Sequence, residues 1–182
     1  VIRTNPILKN KNLVLACEWP REHAKSVVMD IFVPMFLKAK GELTGVVLAS
    51  ANEDKADGLL ADLQEQLMFN QRYIADFGPQ YKSGKWDTGH FVTADGIGFW
   101  AFGRGQSPRG IREANLRPNF GVIDDIDDAE ICKNEKRVLE AVDWCLGDLY
   151  GGMPTKESRL VICGNRIHKR SILAHIVGDV EE

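Results

Sequence analysis

Four short apolar runs set the limits on what this chain can fold into: Leu13-Val14-Leu15-Ala16-Cys17, Val46-Val47-Leu48-Ala49, Phe120-Gly121-Val122-Ile123 and Leu160-Val161-Ile162-Cys163. Each is apolar throughout rather than alternating, which is the texture of a strand covered on both faces. Segments with helical spacing lie between them. Strands alternating with helices predict an α/β fold, a three-layer sandwich around a mostly parallel central sheet. The chain has 182 residues, 44% of them hydrophobic, enough for one domain with a sizeable core, which excludes disorder and fibrous folds. No repeat, linker or low-complexity stretch divides it.

Lys25 to Lys38 reads as a helix that is apolar on most faces and therefore packed deep, with Pro34 kinking or shortening it. Ser50-Ala51-Asn52-Glu53 reads as a capping box, and Ala56, Leu59, Leu60, Leu63 and Leu67 carry the following helix to about Asn70. His90-Phe91-Val92-Thr93 and Ile97 to Phe102, separated by Asp95-Gly96, predict a hairpin. A Gly- and Arg-rich loop spans Gly103 to Asn119. Ile131, Val138, Val142, Cys145 and Leu149 mark one long helix, and a last helix begins near Lys169.

The net charge of −3, from 23 basic and 26 acidic residues, gives no field attracting nucleic acid to the chain as a whole, so any such contact must be local. Cys17, Cys132, Cys145 and Cys163 form no CxxC pair and read as free thiols, mostly buried. The longest apolar run is about six residues against the roughly 20 needed to cross a bilayer, and no signal peptide is visible, so no membrane contact is expected. The chain starts at Val1 rather than Met, which suggests a piece of something longer.

The first apolar run leads through Trp19-Pro20-Arg21-Glu22-His23-Ala24 to Lys25-Ser26 at a helix start, the layout of a phosphate-binding loop. Such a loop needs backbone N–H groups at a helix N-terminus for phosphate oxygens, a Lys for the β and γ phosphates, and a hydroxyl for Mg²⁺. Its usual glycines are replaced by Trp19 and Ala24. A Lys-Ser pair is also an ordinary solvated helix cap. The third run delivers Asp124 and Asp125 at its C-terminal end, where an ATPase places one carboxylate to orient Mg²⁺ and another to activate water. The alternative is that Asp124, Asp125, Asp127 and Asp128 start the next helix, where negative charge suits the dipole. The fourth run ends in Gly164-Asn165, where an amide can sense the γ phosphate. The three strand ends converge on one edge of a parallel sheet.

Together these residues resemble the ATPase domain of the large terminase subunits, the DNA-packaging motors of tailed bacteriophages. The resemblance runs from about Leu13 to Leu173 and includes Arg21 four residues before the Lys, Arg109-Gly110-Ile111-Arg112, Arg117-Pro118-Asn119 ahead of the acidic strand, and Asn165-Arg166-Ile167-His168 after the last. It implies a phosphate-loop ATPase of the type with an additional strand, using ATP and Mg²⁺ to move double-stranded DNA into a prohead. Residues 21 to 26 (Arg21, Glu22, His23, Ala24, Lys25, Ser26) would hold the nucleotide, and Ser26 and Asp124 the metal. Asp125 would polarise water, although many relatives carry Glu there. Arg21 would stabilise phosphate charge in cis, Asn165 would couple hydrolysis to movement, and Arg109 or Arg112 would reach a neighbouring subunit's site. Implied partners are the portal protein, the small terminase subunit and further copies in a ring on the prohead, the isolated piece being a monomer. The implied setting is the cytoplasm of an infected bacterium. On this resemblance residues 1–182 form a single ATPase domain, with a C-terminal nuclease domain absent from the chain.

Other readings stay open: a helicase-like or recombination ATPase shares the three strand ends, and a nucleotide-binding scaffold without turnover would tolerate Trp19 and Ala24. The Arg-rich loop reads either as a solvated turn or as a phosphate contact from Arg104, Arg109, Arg112 and Arg117. His23 and His168 read as loop residues before catalytic ones. Trp19 and Trp100 read as core residues before adenine platforms.

Overall fold

The computed structural model describes residues 12–20 and 22–180. Its centre is a seven-stranded sheet in the order β1-β7-β6-β2-β5-β4-β3, formed by β1 (Leu13–Glu18), β2 (Gly45–Ser50), β3 (Trp86–Asp87), β4 (His90–Val92), β5 (Gly98–Gly103), β6 (Phe120–Asp124) and β7 (Arg159–Gly164). All four apolar runs are strands. The first, however, read as covered on both faces, is the edge strand β1 and is nowhere fully buried, with Val14 39% exposed. β1, β7, β6, β2 and β5 are mutually parallel, and the expected hairpin adds β4 antiparallel to β5, with the short β3 beyond it. Gly96, at φ 87°, makes the hairpin turn with its N–H on the Thr93 carbonyl.

Side chains alternate between two apolar layers. Val46, Leu48, Phe120, Val122, Val161 and Cys163 face α1 (Val33–Ala39), α2 (Glu53–Phe69) and α3 (Gln71–Phe77). Val47, Ala49, Ile123, Leu160 and Ile162 face α4 (Glu135–Asp143), the π-helical turn Trp144–Tyr150 and α5 (Ile172–Val177). Helices therefore cover both faces of the sheet. All four cysteines are free, Cys145 and Cys163 buried and the other two partly so. Among the described residues no helix is long and apolar enough to cross a membrane.

Three local expectations are corrected. The helix after the first loop does not end at Pro34. Residues Val27–Phe32 wind as a π-helix, the Val33 N–H reaches back to the Val28 carbonyl, and the helical backbone continues through Phe32 and Val33 into α1, which carries Pro34. Nor is it buried all round: Val27 is 59% and Phe32 61% exposed. The N-cap of α2 is Asn52, whose side chain accepts from the Lys55 N–H, while Ser50 instead donates to the Asp124 carbonyl. The long helix from Ile131 is a 3-10 turn (Ile131–Lys133), then α4 capped by Asn134, then the π-helical turn.

Candidate functional site

Parallel pairing brings the C-terminal ends of the central strands to one edge. Cys17 is opposite Cys163, Asp124 opposite Cys163 from the other side, and Ser50 opposite Gly103. β1 is separated from β6 by β7. After β1, the Trp19 N–H still bonds the Gly164 carbonyl at 2.9 Å, and the Trp19 indole N–H donates to the His23 carbonyl at 3.1 Å. That second bond ties the loop to its own base, so Trp19 serves the loop's shape. Trp100, the other candidate adenine platform, is buried and stacks on His90 at 5.2 Å.

Glu22 and Ala24 have φ of 64° and 55°, a left-handed conformation that L residues adopt at a cost. Ala24 thus takes the backbone shape of the glycine expected before Lys25. Its carbonyl accepts from the Val28 N–H at 3.0 Å, which starts the helix. The first turn of that helix therefore faces the strand edge with N–H groups that have no intrahelical partner. Arg21 lies outside the described residues. His23 and Glu22 are exposed on the loop.

Lys25 and Ser26 both meet the end of β6. The Lys25 Nζ lies 2.7 Å from Asp124 Oδ1 and also pairs with Asp125, while Ser26 Oγ donates to Asp124 Oδ2 at 2.7 Å. Cys163 Sγ approaches the same carboxylate at 3.4 Å. Asp124 is 3% exposed, so its charge depends on these partners. Burial alone would lower the Lys25 ammonium, but hydrogen bonds and charge from Asp124 and Asp125 outweigh it and hold the pKa above its ordinary value. Asp125, in contrast, is exposed and left-handed at φ 46°.

Asp30 is the site residue that the sequence reading missed. It lies in the π-helical turn, is 1% exposed, and neither oxygen accepts a hydrogen bond. Burial first, and the nearby Asp124 charge second, push its pKa up to about 9. A neutral Asp30 carboxyl can donate to Asp124. The available signal was a lone acidic residue in the apolar stretch Val27-Val28-Met29-Asp30-Ile31-Phe32.

Asn165 follows β7 and lines a cavity of about 120 Å³ together with Asp125, Asp127 and Lys55. Lys55, in the first turn of α2, is a second residue missed by the sequence reading. Asp127 and Asp128 have structural roles, but only Asp128 serves the next helical turn as the helix-start reading expects, Asp127 serving the distant α5 instead. Asp127 accepts from the Ile172 and Leu173 N–H groups that open α5, and Asp128 from those of Glu130 and Ile131.

The arginines of the loop divide. Arg104 bonds the Ile126 carbonyl and Asp128, Arg109 pairs with Asp148 at 2.6 Å, Arg117 bonds the Gly152 carbonyl, and Arg112 is exposed. Arg109 and Arg112 are not brought to the Lys25 cluster of their own chain. His168 accepts from the Arg170 N–H, a turn contact.

The residues fit a phosphate chain with a hard divalent cation: a helix start, an ammonium, and a hydroxyl beside a buried carboxylate. Among the described residues no three His, Cys, Asp or Glu side chains group as a metal site. No protein-family model and no curated protein matches this chain.

Proposed function

We propose that this chain is an ATP-hydrolysing motor domain of the DNA-packaging type, acting as the ATPase part of a large terminase subunit. One observation carries the reading: Lys25 and Ser26, at the start of the helix after β1, both bond Asp124 at the end of β6. Placement of β7 between β1 and β6 supports the phosphate-loop class with an additional strand.

On this reading Lys25 exchanges its two carboxylate partners for the β and γ phosphates of ATP, and backbone N–H groups of residues 22 to 26 take the remaining oxygens. Ser26 and Asp124 would hold Mg²⁺, which would supply positive charge to offset the negative charge developing on the phosphate oxygens. Departure of Lys25 frees Asp125 to accept a proton from the attacking water. Asn165, in the cavity that Asp125 lines, reports loss of the terminal phosphate. Arg21 would add positive charge in cis, and Arg109 or Arg112 would act on a neighbouring subunit in a ring. Double-stranded DNA, the portal protein and the small terminase subunit would be the partners, inside an infected bacterium.

Asp124→Asn and Lys25→Ala test the reading through single-turnover hydrolysis of ATP with Mg²⁺. Asp124→Asn keeps an amide oxygen for Ser26 and leaves Lys25 paired with Asp125. It is therefore expected to fold, with some loss of stability, while losing about 100-fold or more in rate. Lys25→Ala leaves Asp124 unpaired and is expected to lose about 3 kcal/mol of stability along with hydrolysis. Full hydrolysis by Asp124→Asn overturns the assignment. Tight ATP binding by wild type with no phosphate release, DNA and partners supplied, would favour the scaffold reading.

A further inference from the structure

The mechanism above leaves Asp30 unused, although neither of its buried oxygens accepts a hydrogen bond. It sits one turn beyond Ser26 on the same helix, buried to 1%, with both oxygens lacking a donor and with Asp124, Lys25 and Asp125 all close enough to act on its charge. A buried carboxyl with no hydrogen-bond donor is costly, and helices rarely keep one in an apolar face for packing. The π-helical winding of Val27–Phe32 around it is a distortion that recurs at functional sites.

We propose that Asp30 is a second carboxylate ligand of the divalent-cation site, acting with Asp124 and Ser26. The inference rests on the phosphate-loop reading for the rest of the site. With Asp30 ionised, three carboxylates (Asp30, Asp124, Asp125) against the one ammonium of Lys25 leave a formal charge of −2, which one divalent cation neutralises. Mg²⁺ and Mn²⁺ take hard oxygen ligands and are held by one or two carboxylates plus phosphate oxygens and water. Two carboxylates and the Ser26 hydroxyl satisfy that rule.

Titration of the whole chain with Mn²⁺, read by loss of the free-ion EPR signal and competed by Mg²⁺, tests this with and without ATP. ATP binding in EDTA is measured in parallel by calorimetry. Asp30→Asn is the informative variant, because the amide keeps an N–H donor for Asp124 and removes only the anionic ligand. The expected result is Mn²⁺ affinity about 10-fold weaker or more, with unchanged ATP affinity in EDTA and a melting temperature no lower than wild type. Mn²⁺ affinity equal to wild type, with or without ATP, overturns the proposal and leaves Asp30 as a brace for Asp124. So does a wild type that binds no Mn²⁺ in either condition. Failure of the phosphate-loop reading is distinguishable: wild type would then bind no ATP in EDTA or with metal, while the nucleotide-free Mn²⁺ titration would still decide Asp30.

Discussion

The two ends of the same central strands differ in how they treat their polar groups. At the N-terminal end, buried Asn119 just before β6 uses every polar group it has. Its N–H bonds the Gly45 carbonyl, its own carbonyl takes the Arg159 N–H, its Oδ1 accepts from the Thr44 N–H at 2.9 Å, and its Nδ2 donates to the Glu42 carbonyl at 2.9 Å. Arg159 and Glu42 pair beside it at 2.9 Å. Gly45 packs so closely on Pro118 that an added Cβ would lie 2.9 Å from its Cα. At the C-terminal end, by contrast, Glu22, Ala24 and Asp125 adopt left-handed backbone, and Asp30 is buried unpartnered against Asp124. The N-terminal end is not free of conflict, since Glu157 before β7 is left-handed and Glu42 Oε2 and Arg159 Nη1 lack hydrogen-bond partners. Those atoms belong to an ion pair, however, whereas neither oxygen of the buried Asp30 carboxyl accepts a hydrogen bond at all. Chains keep such conflict where a ligand is to relieve it.

The sharpest way to break this contrast is Asn119→Ala. The substitution leaves the Thr44 N–H and the Glu42 carbonyl unpaired in a buried setting, an expected loss of about 2 to 3 kcal/mol in chemical denaturation. ATP affinity in the folded variant is expected to stay within about twofold of wild type, because nothing at the Lys25 end is touched. A large loss of affinity with intact stability would place Asn119 in the site and erase the division of labour.

A second effect, of similar total size but spread over several pH units, separates the ends by pH. Asp30 has its folded pKa raised from the ordinary value of 3.8 to about 9, so between these values the folded chain holds a proton that the unfolded chain has released. The stability from its neutral form is complete below the lower value and is lost as pH rises, levelling off above the upper one. Without divalent cation, wild type is expected to lose up to about 1 kcal/mol per pH unit relative to Asp30→Asn between about pH 5 and pH 8. Parallel stability curves for the two proteins would show that the carboxyl is not held neutral.

The contrast also accounts for what could be read in advance. The strands were legible because runs such as Leu160 to Cys163 are apolar on both faces, and sheet parallelism followed from the helices between them. Lys25, Ser26 and Asp124 were legible as chemistry at strand ends, and the structure brings the three into contact. Asp30 was not, because one carboxylate in an apolar helix looks like an exposed residue until the helix is placed against β6. The true cap of α2 was hidden for a related reason. Ser50 fits a cap by local sequence, but its hydroxyl is taken by the Asp124 carbonyl, a partner 74 positions away. The Arg117-Pro118-Asn119 stretch carried a family likeness, and in the structure Asn119 is a structural tie between β2, β6 and β7.

The smallest expected effect bears on the loop itself. Ala24 holds φ at 55°, and an L residue in that region costs about 1 to 2 kcal/mol relative to glycine. Ala24→Gly removes that strain but frees the unfolded chain by about 0.4 to 1 kcal/mol, so the net gain lies between about 0 and 1.6 kcal/mol. Calorimetric melting with and without ATP would read both consequences: a rise in stability of that size and an ATP affinity equal to wild type or better. Ala24→Val should do the reverse, since a β-branched side chain tolerates positive φ worst. If Ala24→Gly instead lost ATP binding while Ala24→Val kept it, the left-handed turn would have no part in holding phosphate. The strain at this end of the sheet would then be incidental to ligand binding, which is the claim that the comparison of the two ends depends on.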